Sequence, residues 1–213
     1  LALLSRKFPR NKSHGTNFFF SSFFMDKLMN LSKMSSIEDA GYNYGAVRNW
    51  VERMLLPKQS GTTRRYTRNG FGDFISSAVL YIPINWGAHW IMATVHMDQH
   101  TICIYDSLSP TTRTFDDSGY GTFGLAILRC LNELYEEGKL GELDVHDWTC
   151  HFPSCARQTN DVDCGVFMLA YIHMLVCGIS PTSCIEGQCW RNLILNSLVA
   201  GEILCRQAEK NNH

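Results

Sequence analysis

An excess of either charge is missing from this chain. Its 213 residues carry 19 Lys and Arg against 20 Asp and Glu, a formal charge of −1. A balance this close to neutral excludes a nucleic-acid binder working through bulk charge, so no nucleic-acid partner is expected. Long apolar runs are missing as well. The longest candidate, residues 169–179, is eleven residues with His173 inside it, well short of the roughly 18 that a membrane span requires. No membrane partner is expected either. What is present, 45% hydrophobic and 18% charged residues, is the make-up of an ordinary globular domain and excludes disordered and collagen-like chains. The length suits a single domain with a sizeable core.

Cysteine is not scarce, but the nine present are an odd number and fall inside apparent helices and strands. That argues against a disulfide framework and for a reducing compartment. The order basic-then-apolar of a secretory signal is lacking too: Leu1-Ala2-Leu3-Leu4 comes before Arg6, Lys7 and Arg10. This opening reads as the end of a helix whose start lies upstream, so the chain is expected to be one domain (1–213) truncated at its N-terminus.

Apolar residues at helical spacing occur at Phe23, Phe24, Leu28 and Leu31, and again at Val47, Trp50, Val51 and Met54. Residues 57–74 are polar and aperiodic, carry Arg64, Arg65 and Arg68, and read as a surface loop. From Ala78 the period becomes that of strands, AVLYIPI, WIMATVH and TICIYD, the last two joined by a turn at Asp98-Gln99-His100. These predict a central antiparallel group of three. Helix returns over residues 123–137, with Leu125, Leu128, Leu131 and Tyr135 on one face, followed by a short strand within 145–152. Residues 164–177 are apolar nearly all round, as in a helix buried mid-domain, and a last amphipathic helix is expected over 190–206. Helices flank strands without regular alternation, which makes the class α+β.

Cys164 stands out among the possible chemical groups. A lone cysteine at the start of a buried helix is most often a small hydrophobe. Asp161, Asp163 and Gly165, however, place this one at a turn-to-helix junction, where unpaired N–H groups and the helix dipole favour an anion. A thiolate nucleophile then needs a base. His89 begins one strand and Asp106 ends the next, so both fall at the open end of one hairpin, where a carboxylate can hold an imidazole tautomer. Taken singly, His89 reads more readily as a packed core histidine and Asp106 as a turn residue before Ser107; it is their conjunction that points to chemistry. Cys150-His151 with Cys155, and Cys177 with Cys184 and Cys189, do not have the spacing of paired zinc knuckles; no metal site is assigned.

Together Pro83-Ile84, His89-Trp90, Tyr105-Asp106-Ser107, Gln158 and Asp163-Cys164-Gly165 resemble the SUMO-specific (sentrin-specific) cysteine proteases. The step of six residues from Gln158 to Cys164 and of 17 from His89 to Asp106 is similar to that family's pattern. The resemblance implies a papain-like fold with a central antiparallel sheet flanked by helices. It implies His89 as general base, Asp106 as its orienting acid, Cys164 as nucleophile and the Gln158 amide as an oxyanion donor. It further implies that Trp90 covers the substrate's terminal Gly-Gly in a narrow channel, with Gly165 admitting the substrate backbone. The implied partners are SUMO and SUMO-conjugated proteins, met by a monomer without a cofactor in the nucleus or nucleocytoplasm. Related tasks share the order His, acid, Cys: removal of Nedd8 or ubiquitin, effector-type acetyl transfer, or modifier binding by a pseudoenzyme. Two features depart from the pattern. No Trp-Leu-Asn-Asp segment is visible at the N-terminus to supply a second channel tryptophan, and in Asp161-Val162-Asp163, just before the nucleophile, the first two places hold Asp and Val where the family more often has a small residue or Gly.

Overall fold

Strand residues alternate between two apolar clusters. Leu80, Ile82 and Ile84 of β2 (Val79–Trp86), Ile91, Ala93 and Val95 of β3 (His89–His96), and Ile102 and Ile104 of β4 (Thr101–Tyr105) enter one cluster, whereas Tyr81, Met92 and Tyr105 enter the other. A period of two with apolar residues on both faces means a sheet covered on both sides. The computed structural model describes residues 17–33, 41–55, 77–108, 121–138, 143–183 and 185–201. In it β2, β3 and β4 form the expected antiparallel group, in the register Ile84↔Ile91 and Ala93↔Ile104. Two short strands run parallel at its edges, β1 (Asn17–Phe19) beside β2 and β5 (Thr149–His151) beside β4, in the order β1-β2-β3-β4-β5. β1 pairs only with Val79 to Tyr81. Pro83 therefore lies where the outer edge of β2 has no strand partner among the described residues, so its missing N–H costs nothing there.

On the first face lie α1 (Phe24–Met29), α2 (Arg48–Leu55) and α3 (Gly121–Gly138); on the second lie α4 (Cys164–Val176) and α5 (Gly187–Ala200). α4 is buried nearly all round, as its composition requires, while α5 stops at Gly201, whose φ of 69° forms a left-handed cap. No helix among the described residues is long and apolar enough to cross a membrane.

Three elements differ from the sequence reading. Phe23 is 65% exposed and Leu125 57% exposed. In α3 the buried stripe is Phe123, Ile127, Cys130, Leu131 and Leu134, and Leu125 is rotated off it, with Leu128 and Tyr135 only at its rim. The strand expected within 145–152 is confined to Thr149–His151, because Val145–Asp147 forms a 3-10 turn capped by the Asp144 carboxylate on the His146 N–H. The arginine-bearing loop 57–74 and residues 202–206 of the expected last helix lie outside the described residues.

Candidate active site

The hairpin register brings the end of β4 level with the beginning of β3. His89 Nε2 lies 2.7 Å from Asp106 Oδ1, across 17 residues of chain. Asp106 is buried, and the same oxygen accepts the Leu108 N–H at 2.8 Å. An oxygen accepting twice behaves as a carboxylate, so the proton of that contact sits on the imidazole. Nε2 is thereby committed to Asp106, and Nδ1 is the ring nitrogen left for a reaction partner. Cys164 is the reaction partner beside it, and its thiol acts on the imidazole electrostatically. The His89 pKa is raised above its ordinary value, chiefly by the Asp106 hydrogen bond and also by Cys164, against burial, which lowers it.

Cys164 is the first residue of α4 and is buried. Its N–H belongs to the first turn, whose donors have no partner within the helix. Trp90 follows His89 on β3 and covers this turn: a Cβ built on Gly165 would lie 3.5 Å from Trp90 Cδ1. The indole thus rests on the helix start at van der Waals distance. Gln158 is buried in the turn before α4, and its two amide atoms are engaged. Oε1 accepts from Ser107 Oγ at 2.5 Å, its backbone N–H donates to the Ser107 carbonyl at 3.1 Å, and Nε2 donates to the Asn160 carbonyl. An amide NH₂ has two protons, so one such bond leaves a second donor.

His89 and Asp106 are thus joined directly with Cys164 acting on the imidazole, Trp90 and Gly165 pair beside them, and Gln158 is linked to the acid's neighbour Ser107. Several residues that support this cluster were not singled out from the sequence. Asn85 Nδ2 donates to the His89 carbonyl at 3.2 Å, and Cys155 Sγ to the Asp106 carbonyl at 3.5 Å. Asn160 and Arg191 hold the turn before Cys164. The spacing Asn160-x-x-Asp163 ahead of a helix is a local turn signal; Arg191, 28 residues past Asp163, leaves no local trace. Other histidines have packing settings: His96 bonds Thr94, His100 stacks on Trp148 and His173 meets Trp190 edge-on. Among the described residues no three His, Cys, Asp or Glu side chains gather as metal ligands.

The arrangement suits acyl transfer, with a thiol beside an imidazole oriented by a buried acid. Proteins similar in sequence are named as proteases. Ubiquitin-like-specific protease ESD4 of Arabidopsis thaliana is 26% identical over 162 residues, which are 76% of this chain and 27% of that protein. Sentrin-specific protease 3 of Homo sapiens is 28% identical over 160 residues, 72% of this chain and 20% of that protein. The chain therefore spans less than a third of the length of these two relatives. Among solved structures, the catalytic domain of the Ulp1-like SUMO protease of Chaetomium thermophilum has the same fold, with a TM-score of 0.65 at 19% identity, covering 100% of this chain and 72% of that one. The family model described as Ulp1 protease family, C-terminal catalytic domain, matches residues 2–194, and the chain belongs to that family of ubiquitin-like-specific cysteine proteases.

Proposed function

We infer that the chain hydrolyses the bond after the C-terminal Gly-Gly of SUMO, in conjugates, precursors or both, and that His89, Asp106, Cys164 and Gln158 carry the reaction. The observation that carries this reading is an imidazole held by Asp106 at 2.7 Å with the Cys164 thiol acting on it electrostatically from the start of α4. His89 Nδ1 takes the thiol proton, and the sulfur attacks the terminal glycine carbonyl. The Cys164 N–H and the free Gln158 amide proton then face the oxyanion. As that intermediate collapses, the imidazolium gives its proton to the departing amine, leaving a thioester. His89 next removes a proton from water, which attacks the thioester and releases the modifier's carboxylate and the thiol. Asp106 keeps the imidazole in the tautomer that both steps use.

Trp90 over Gly165 narrows the approach to the sulfur, which favours a tail without side chains. Selection of SUMO over Nedd8 or ubiquitin then falls to the modifier's folded body. Support for SUMO comes from the names of proteins similar to this chain, a sentrin-specific protease and a SUMO protease catalytic domain. A monomer acting in the nucleus or nucleocytoplasm belongs to the same proposal.

SUMO carrying a fluorogenic amide after Gly-Gly tests the reading. Wild type releases the fluorophore. Cys164→Ala reduces release to background while still binding SUMO, because binding uses surface remote from the sulfur; His89→Ala costs nearly as much, since thiolate and proton shuttle act as a unit. Turnover by folded Cys164→Ala would refute the assignment.

A further inference from the structure

Asp106 and Asp163 are the buried carboxylates among the described residues. The first orients the base, whereas the second sits next to the nucleophile and has no place in the chemistry above. Its surroundings are built for it. Oδ2 accepts from Asn160 Nδ2 at 2.7 Å, and Oδ1 accepts from Arg191 of α5 through Nε at 2.8 Å and also through Nη2. Arg191 Nη2 also donates to the Val162 carbonyl at 3.1 Å. One guanidinium therefore grips both the side chain of residue 163 and the backbone of residue 162. From inside the turn, Asn160 Oδ1 accepts the N–H groups of Val162 and Asp163, each at 3.0 Å. From α5, Gly187 leaves the space the carboxylate occupies: a Cβ there would be 2.4 Å from Asp163 Oδ2.

An ionised carboxylate beside a thiolate repels it. Turned onto Arg191, its charge is neutralised, and the Asn160 hydrogen bond, followed by Arg191, holds its pKa below the usual carboxylate range despite burial. The contacts converge on the segment between the two oxyanion donors. Gln158 lies at one end, tied to the Asn160 carbonyl, and the Cys164 N–H lies at the other. Val162, 72% exposed at the crest, contributes only its backbone to the clamp.

We propose that Arg191, through Asp163 and the Val162 carbonyl, is a positioning residue that sets the shape of the 158–164 turn and so aims the oxyanion donors without altering the reactivity of the thiol. This rests on Cys164 being the nucleophile. Two reactions of that sulfur separate the roles. Hydrolysis of the SUMO amide passes through an oxyanion; alkylation by iodoacetamide displaces iodide at carbon and forms none. In Arg191→Lys, which keeps the positive charge beside Asp163 but lacks the fork that grips the Val162 carbonyl as well, kcat for hydrolysis falls by about 10- to 100-fold, since a displacement near 1 Å can cost on the order of 10²-fold. KM stays within about 2-fold, and Cys164 alkylates at the wild-type rate. Gly187→Ala pushes the carboxylate from the other side with Arg191 intact and gives the same kcat-only defect, so it carries the test should Arg191→Lys not fold. Alkylation falling in step with kcat, or an unchanged kcat in either folded variant, overturns the proposal. Wild-type protein still turning over after complete alkylation of Cys164 would instead refute the nucleophile assignment.

Discussion

Asp106 changes the acid–base behaviour of His89 through a single hydrogen bond, and the sign of that change is testable. The raised pKa means that the fold favours protonated His89. The resulting stability is fully present below the unfolded pKa, about 6.5, and is lost as the pH rises through the higher folded value. In Asp106→Asn the carboxylate is gone, so the His89 pKa drops, as an NMR titration of its ring protons reads directly. The stability gap between wild type and variant is widest at about pH 5.5 to 6, below the unfolded value, and narrows in alkali to a constant remainder from the weaker, uncharged acceptor left for the Leu108 N–H. A gap of equal size across that range contradicts the pairing. Gln158 makes a second prediction at this scale. Gln158→Ala lowers kcat by roughly 10² to 10³ with little change in KM, the scale for one lost oxyanion donor; steady-state kinetics with normal kcat would remove it from the mechanism.

Among the elements, α3 shows where reading by periodicity slips. Leu125 and Leu131 are the same residue type on one helix, yet only Leu131 is buried. Leu131→Ala is expected to cost about 2 to 5 kcal/mol and Leu125→Ala less than about 0.5 kcal/mol, read from denaturant unfolding; equal costs would contradict the assignment of faces. The slip has a physical origin. Leu, Ala and Cys recur so densely in 123–134 that several stripes fit, and the sheet selects one of them. The central strands were legible because AVLYIPI, WIMATVH and TICIYD are short runs rich in apolar and β-branched residues and the last two are joined by a turn, and α4 because it is apolar nearly all round. β1 and β5 were harder: three residues each are too short for a period, and their pairing depends on where the chain returns, which local pattern does not encode. Val145–Asp147 likewise took its shape from the Asp144 cap and not from hydrophobicity.

At the scale of the whole molecule, the site joins two layers. His89, Trp90 and Asp106 come from one end of the sheet, and Cys164 and Gly165 from the helix packed on its second face. That His89 and Asp106 share the open end of one hairpin was legible from the turn at Asp98-Gln99-His100, and the setting of Cys164 from Asp-Cys-Gly at a helix start; the register that pairs them was not. The clamp of Arg191 on Asp163 was not, since it depends on how α5 docks beside α4. Modifier choice belongs to this scale too, because a channel that takes Gly-Gly does not distinguish modifiers sharing that tail. The most direct measurement is covalent labelling by SUMO, Nedd8 and ubiquitin, each ending in an electrophile after Gly-Gly. The account predicts a stable adduct with SUMO, much less with Nedd8, least with ubiquitin, and none with SUMO once Cys164 is replaced by alanine. Preferential labelling by Nedd8 or ubiquitin, or none by any of the three in folded protein, would contradict it.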